Sequence, residues 1–434
     1  MRYSTVQAAT DAQRATNGRE IFPGRGPALV GFAREATPTL PSGPAAIIAA
    51  VNMLEVLDSQ SSAYINRAFA AHPKKDILPQ PEQPADRVYI STVLRDIRKR
   101  IDADHMSRQE IEEYALDMMP EAYTLVSDYM GNTVVQQLFG KCGEDIKDMM
   151  LRTLVPHLAQ AGVHKNGTWA VQKIIDVANS ARQMTMIETA LRPYTTALLL
   201  DQYGNYVVQC CLKFPAPYSD FVVEEIVANL QEIAQGRFGA RAIRTVLESS
   251  QISPAAHAAI SGTIIERAAA LAVNPNGSLL VSWLLDSHPS PGRFMALTTR
   301  VVPSLVGLCT SKVGALTVLK IISNRNDPRM ATRPLLDALF DPASEFAPDA
   351  LRKILADPHG QGPTFLYKLL TTGFVENSID RHVAVNKIRV VLLQPGTKPP
   401  NHKRLLEEVG LGMLLPDERE QDLASYHTQQ DWVR

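Results

Sequence analysis

A glycine that opens a short apolar-rich stretch recurs seven times in this chain, and no other feature of the sequence restricts the fold as much. The stretches are YMGNTVVQQLF at Gly131, KNGTWAVQKII at Gly167, QYGNYVVQCCL at Gly204, RFGARAIRTVL at Gly239, PNGSLLVSWLL at Gly277, KVGALTVLKII at Gly314 and GQGPTFLYKLL at Gly362. Successive glycines lie 36, 37, 35, 38, 37 and 48 residues apart, so six units keep register and the seventh carries an insertion. Between them lie second amphipathic segments, such as EDIKDMMLRTLVPHLAQ and YSDFVVEEIVANLQEIA, with apolar residues at helical spacing. Each unit is therefore two or three short helices. A lone unit of this size cannot bury its apolar face, whereas a stack of them shares one continuous core. The pattern predicts an all-α solenoid.

Counting from each glycine, offsets +3, +4, +7 and +8 are mostly apolar, as in Val207, Val208, Cys211 and Leu212 or Leu280, Val281, Leu284 and Leu285. These fall on one side of a helix, toward the core. Offsets +1, +2 and +5 fall on the other side, with +1 and +5 one turn apart and side by side. In the first three units they are Asn132, Thr133 and Gln136, then Thr168, Trp169 and Gln172, then Asn205, Tyr206 and Gln209. A polar pair flanked by a flat ring, repeated at a fixed pitch, suits unstacked bases: the pair hydrogen-bonds a base edge and the ring stacks on its face. A generic solvated face of a protein-binding solenoid would favour Lys and Glu instead.

Composition excludes several alternatives. With 45% apolar and 21% charged residues in 434, most of the chain should fold, and a net charge of -1 argues against bulk electrostatic binding of polyanions. Cys142, Cys210, Cys211 and Cys309 form no C-x-x-C pair and read as reduced thiols of an intracellular protein. No apolar run approaches the length of a membrane span, and the N-terminus has no apolar leader, so a soluble cytoplasmic protein without membrane insertion is expected. DSHPS at 286–290 is a turn rather than a catalytic relay. HGQGP at 359–363 lacks the Lys and spacing of a phosphate loop, and no Cys/His cluster suggests a metal. No catalytic residue, metal or cofactor is expected.

The GNYVVQ of unit three, the GARAIR of unit four and the period resemble Pumilio (PUF) repeats across residues 88 to 395. The resemblance implies a right-handed superhelix, with helix positions one and five reading the Watson–Crick edge of a base and position two stacking on it. It makes Asn132 with Gln136 and Asn205 with Gln209 similar to uracil-reading pairs, and Thr168 with Gln172 similar to an adenine-reading pair. Trp169, Tyr206 and Arg241 would stack. RNA runs antiparallel to such arrays, so units three, two and one would read 5′-U-A-U-3′. Later units depart from the pattern. Unit four pairs Ala240 with Arg244, unit five has Ser278 and Ser282 around Leu279, unit six has Ala315, Leu316 and Leu319, and unit seven has Pro363, Thr364 and Tyr367. Either RNA passes units five to seven without base readout or that surface contacts protein.

Residues 15 to 35, ATNGREIFPGRGPALVGFARE, resemble the last helix and strand of an RNA recognition motif. Without its other strands such a remnant, residues 1–36, is expected to be disordered. The combination resembles fungal proteins that join an RNA recognition motif to a Pumilio domain, in truncated form. Residues 37–87 read as Pro-rich linkers around a helical segment of uncertain role, and residues 396–434 as a C-terminal helix and tail. VYISTVLRDIRKRID is expected to cap the first unit. Its Arg95, Arg98, Lys99 and Arg100 either face phosphates or form a solvated charge run. The family resemblance implies a monomer that binds U/A-rich single-stranded RNA in 3′ untranslated regions and meets decay or translation-repression proteins on its convex face. A protein-binding solenoid with reduced RNA affinity is the alternative, and a structural RNA binder in ribosome assembly a weaker one.

Overall fold

A computed structural model describes residues 43–54, 59–70, 74–80, 87–323, 332–341, 347–373, 378–394 and 402–414. The chain divides into two units, Met1–Ala46 and Ile47–Arg434. In the first, residues 43–46 form a turn and the opening of the helix Pro44–Met53, and the segment 15–35 lies outside the described residues. The described residues of the second are helices and connecting turns, with no strand among them.

The repeats are an α-solenoid of three-helix units. The first consists of Ala122–Leu125, Gly131–Lys141 and Glu144–Leu154; the second of Leu158–Gly162, Gly167–Val177 and Ala181–Leu191. In the third, Thr195–Leu200 and Gly204–Cys210 lead into Asp220–Gln235, which kinks at Asn229 and runs into the first helix of unit four. The glycine-opened helices pack on one another in chain order up to Gln361–Lys368, while the third helix of each unit forms the opposite, outer layer. Ser91–Asp102 packs on Gly131–Lys141 through Leu94, Ile97 and Ile101 and closes the first end, as its pattern anticipates. Two of its cations pair with carboxylates, Arg98 with Asp102 and Arg100 with Glu110, which fits a solvated charge run. Lys403–Glu408 packs on Gln361–Lys368 at the far end.

Two local rules generate the unit. The outer helix ends in a single 3-10 turn carrying Pro156, Pro193 or Pro303, each eleven residues before its glycine. Proline cannot continue the ladder of the preceding helix but suits the first turn of the next, so it makes the corner. The glycine is then required by close approach rather than by an unusual φ. A Cβ on Gly131 would lie 2.5 Å from the Leu125 carbonyl oxygen, and one on Gly239 would lie 2.1 Å from that of Ile233. Both distances are far inside van der Waals contact with backbone that has no side-chain freedom to yield. The helix start sits directly on the last turn of the preceding helix. The offsets assigned to the core are buried as expected, Val207, Val208 and Cys211 completely.

The described residues 47–54, 59–70 and 74–80 do not run free of the array. Residues 47–53 and the helix Ser59–Ala68 lie on the outer layer of units three to five, and Lys75 and Pro79 bond to Pro193 and Gln160 at unit two. The outer helix beneath them, Pro254–Glu266, is buried on every side, with Ala255, Ala256, Ala258, Ala259, Ile260 and Ile264 all inaccessible. Its residues PAAHAAISGTIIE show no polar face because both sides are covered.

The close approach predicts that Gly239→Ala overpacks the unit and lowers stability by about 1–3 kcal/mol. Thermal denaturation should show a lower midpoint with helical circular dichroism retained, and an unchanged midpoint would contradict the packing.

Candidate nucleic-acid interface

In five of the seven units the glycine-opened helix is held at its start by a side chain three residues before the glycine, a signal that the glycine alignment passed over; unit four has Gly236 there, and in unit seven Asp357 caps Gly362 from five residues before it. Asp128 Oδ1 accepts from the backbone N–H of Met130 and Gly131 at 2.8 Å each, and Asp201 Oδ1 from Tyr203 and Gly204 at 2.7 and 2.8 Å. Asn274 does the same for Asn276 and Gly277 at 2.9 Å each, and Ser311 Oγ accepts from Gly314 at 3.2 Å. In unit two the position is His164, whose Nδ1 accepts from Asn166 and Gly167 at 3.3 and 3.4 Å. These caps satisfy N–H groups that a helix start leaves without partners, and the carboxylates also complement the positive end of the helix dipole.

The cap fixes the turn on which position one stands. Asn205 is 4% exposed, so it lies under the surface rather than on it. Its Nδ2 donates to the backbone carbonyls of Asp201 at 2.8 Å and Gln202 at 3.1 Å, which turns its Oδ1 toward position five, where Gln209 Nε2 donates to it at 2.9 Å. Unit one repeats this with Asn132, bonded to Asp128 and Tyr129, and Gln136 Nε2 on Asn132 Oδ1 at 3.0 Å. The sequence reading placed both amides side by side on one face. The structure keeps them adjacent but buries the first, because position one lies in the helix's opening turn against the preceding carbonyls. The Gln therefore carries the outward polar atoms.

Unit two is built differently. Gln172 Nε2 donates to Thr168 Oγ1 at 2.9 Å, and the Thr168 hydroxyl itself donates to the Tyr203 carbonyl of the next unit at 3.4 Å. Cys210 Sγ lies 3.9 Å from Gln172 Oε1, a weak donor across the unit boundary. Burial pushes the Cys210 thiol up, so it stays protonated and serves as that donor.

Position two is exposed where a ring or its substitute stands: Trp169 is 62% and Tyr206 44% exposed, and Arg241 is exposed as well. Thr133 in unit one is half-buried. The same position in units five and six carries Leu279 and Leu316, at 58% and 56% exposure.

The remaining candidates do not assemble into equivalent pairs. Arg244 is exposed and its Nε donates to Glu248 at 2.8 Å on its own helix, while Ala240 beneath it is buried. Ser278 donates to the Pro275 carbonyl at 3.1 Å rather than to Ser282, which is half-buried one turn on. The structure thus groups the three complete pairs in units one to three and separates Arg244, Ser278 and Ser282 from any such pairing.

Charges along the C-terminal ends of these helices are matched between units. Lys213 pairs with Asp176, Lys320 with Asp286 and Lys141 with Asp104. The Lys213 hydrogen bond holds the Asp176 carboxyl below its ordinary range, and the same bond raises the Lys213 ammonium. Among the described residues no group of three or more His, Cys, Asp or Glu is arranged to hold a metal ion, and no helix is long and apolar enough to cross a membrane.

His164 yields a prediction. Burial, and then Lys165, lower its imidazole below the ordinary 6.5, and the neutral ring is the form that can accept. The unfolded chain therefore takes up the proton first, and stability falls as pH drops below about 6.5. His164→Asp should raise stability by about 0.5–1 kcal/mol at neutral pH through a better cap. It should also remove this unit's loss of stability in the imidazole range. Thermal midpoints measured across pH 5 to 8 on both proteins check it, and parallel curves would contradict it.

Comparison with known proteins agrees with the geometry. The family model "Pumilio-family RNA binding repeat" matches residues 122–154, 159–188 and 197–227, which are the three units with complete pairs. Protein JSN1 of Saccharomyces cerevisiae is 41% identical over 337 residues, 77% of this chain and 30% of that protein. The mRNA-binding protein PUF2 of the same yeast is 39% identical over 322 residues, 73% of this chain and 30% of its own length. The chain thus spans under a third of each. The crystal structure of the PUM-HD domain of S. pombe Puf1 in complex with RNA superposes with a TM-score of 0.74 at 37% identity, covering 84% of this chain and 95% of that one. By repeat, by sequence and by fold, the chain belongs to the Pumilio family of RNA-binding repeat proteins.

Proposed function

We propose that the chain is a sequence-reading, single-stranded RNA binder that acts on messenger RNA 3′ untranslated regions in the cytoplasm, in control of translation, decay or localisation. Residues 88–395 carry the binding. Units three, two and one read 5′-U-A-U-3′ through Asn205 with Gln209, Thr168 with Gln172, and Asn132 with Gln136, while Trp169 and Tyr206 stack. Arg241 stacks in unit four. The observation that carries this reading is the orientation of the position-five amides. In units one and three the Gln donates to an Asn Oδ1 whose own amide nitrogen is pinned by two backbone carbonyls, so the Gln cannot flip without losing its partner. A fixed donor–acceptor order suits one order on a base edge, and uracil's carbonyl beside N–H is the reverse of adenine's amino group beside a ring nitrogen. In unit two the partner is a hydroxyl whose proton is held only by a 3.4 Å bond to the Tyr203 carbonyl, so by giving up that bond it can donate instead and let Gln172 present the other order. The names of the similar proteins support the class: PUF2 is described as mRNA-binding, and the Puf1 domain was solved with RNA.

The resemblance of residues 15–35 to part of an RNA recognition motif supports placing the chain with the fungal proteins that join such a domain to Pumilio repeats. A second reading applies to the far end of the array. Leu279 and Leu316 stand exposed where units two and three have rings, over buried Ser278 and Ala315 that offer no amide, which favours contact with protein there rather than base readout.

Selection of bound RNA from a random pool tests the reading: the wild-type protein should recover 5′-U-A-U-3′. Asn205→Ser with Gln209→Glu should move the preference at one position from U toward G, since a carboxylate accepts from the guanine N–H groups. A wrong edge at that site should be penalised by about 1–3 kcal/mol. An unchanged preference would contradict the assignment. Separately, because Lys141, Lys213 and Lys320 are already paired with carboxylates, few phosphates should be neutralised on binding. The slope of log affinity against log salt should lie nearer to about -2 than to the roughly -4 of a six-phosphate binder of a single strand. A steep slope without sequence preference would assign binding to an electrostatic groove instead.

A further inference from the structure

Units of a solenoid touch only their neighbours, so the spacing of its base-facing helices depends on one interface at a time. Residues 47–54, 59–70 and 74–80 break that rule. The helix Ser59–Ala68 packs on two consecutive outer helices at once, Asp220–Gln235 and Pro254–Glu266. Tyr64 donates to Asp220 at 2.7 Å, and Arg67 Nε donates to Glu224 at 2.6 Å. Glu224 is 4% exposed, and its second oxygen accepts from Arg192, which ends the outer helix of unit two, at 2.8 Å. One buried carboxylate thus joins these residues to two successive units. Lys75 N–H continues the run onto the Pro193 carbonyl at 2.9 Å. The array is also shaped to receive this segment. A Cβ on Gly262, in the middle of an outer helix, would lie 2.5 Å from Val51 Cγ2, and one on Gly292 would lie 2.1 Å from the Met53 carbonyl oxygen. A mid-helix glycine is otherwise unfavourable, and its place is accounted for by the chain that lies against it.

We propose that residues 47–54, 59–70 and 74–80 are a clamp that sets the spacing of units two to five from the outer layer, and that Tyr64 and Arg67 are positioning residues for the base-facing helices Gly204–Cys210 and Arg237–Leu247. Its consequence for affinity rests on the RNA-binding reading; its consequence for the helices themselves does not. Neither Tyr64 nor Arg67 lies on the base-facing layer.

The test uses the full chain with Gly262→Ala, which improves the outer helix's own propensity while obstructing Val51, and separately Tyr64→Phe with Arg67→Ala. Hydrogen exchange without RNA should show lost protection in residues 47–68 and faster exchange in 204–210 and 237–247. Affinity for an RNA containing 5′-U-A-U-3′ and extending 5′ of it should fall roughly tenfold, with the binding-competent fraction from stoichiometric titration unchanged. Adding Val51→Ala to Gly262→Ala should restore both readouts, which a general loss of stability would not do. Release of residues 47–68 without change in the base-facing helices overturns the clamp, as does full protection of 47–68 in both variants. Should wild-type protein bind no RNA while the exchange coupling is present, the RNA reading fails and the clamp stands.

Discussion

The contact between a glycine and a carbonyl oxygen of the preceding helix sets the geometry on which everything else in this protein depends. With no Cβ at Gly131 or Gly204, the start of the glycine-opened helix can rest directly on the last turn before it. That seating aims the opening turn, brings the side chain three residues upstream within reach of the free N–H groups, and places position one against backbone carbonyls. Any side chain at the glycine would push the turn off its seat, and with it the side chains at positions one and five. Repetition of a steric rule, rather than of any charged or catalytic group, makes the pitch uniform.

Once the turn is fixed, polar chemistry follows in a chain of single hydrogen bonds. Asp201 holds the turn, the turn's carbonyls hold the Asn205 amide, and Asn205 holds Gln209. Each link removes a rotamer choice before any ligand arrives, so ordering of the position-five side chain is already done in the free protein. Unit two replaces the rigid link by Thr168 and the weak Cys210 contact, and gains freedom of amide orientation in exchange. Units five and six keep only the cap, through Asn274 and Ser311, and unit four has Gly236 in its place; with Ala240, Ser278 and Ala315 at position one, none of the three has an amide there to orient position five. Outside this layer, the Glu224 carboxylate between Arg67 and Arg192 performs a comparable task on a larger scale, joining a distant segment to two units.

Much of this was legible in the sequence because the period is long and the glycine signal strong. The all-α solenoid, the buried Val207 and Val208, the exposed Trp169 and Tyr206 and the adjacency of Asn205 with Gln209 all follow from counting offsets from glycine. Burial of Asn132, Thr168 and Asn205 did not follow, because an ideal helical wheel ignores what lies before the first turn. The capping residues were missed since Asp128, His164, Asp201, Asn274 and Ser311 share an acceptor atom rather than a residue type. The corner prolines were readable at their fixed distance from the glycine but fall in only some units. Docking of residues 47–54, 59–70 and 74–80 could not be read from that segment, whose apolar pattern fits an unattached helix equally well. The partner's sequence did carry a hint in PAAHAAISGTIIE, an outer helix with no polar face.

The central claim is that bases of a single strand sit on the helices opened by Gly131, Gly167 and Gly204. Photocrosslinking with RNA carrying 4-thiouridine at each position in turn, read out by peptide mass spectrometry, tests it most directly. Crosslinks should move one unit toward the N-terminus for each nucleotide moved toward the 3′ end and should concentrate at and around Tyr206, Trp169 and Thr133. Crosslinks that fall on the outer helices, or that do not shift with the position of the label, would contradict it.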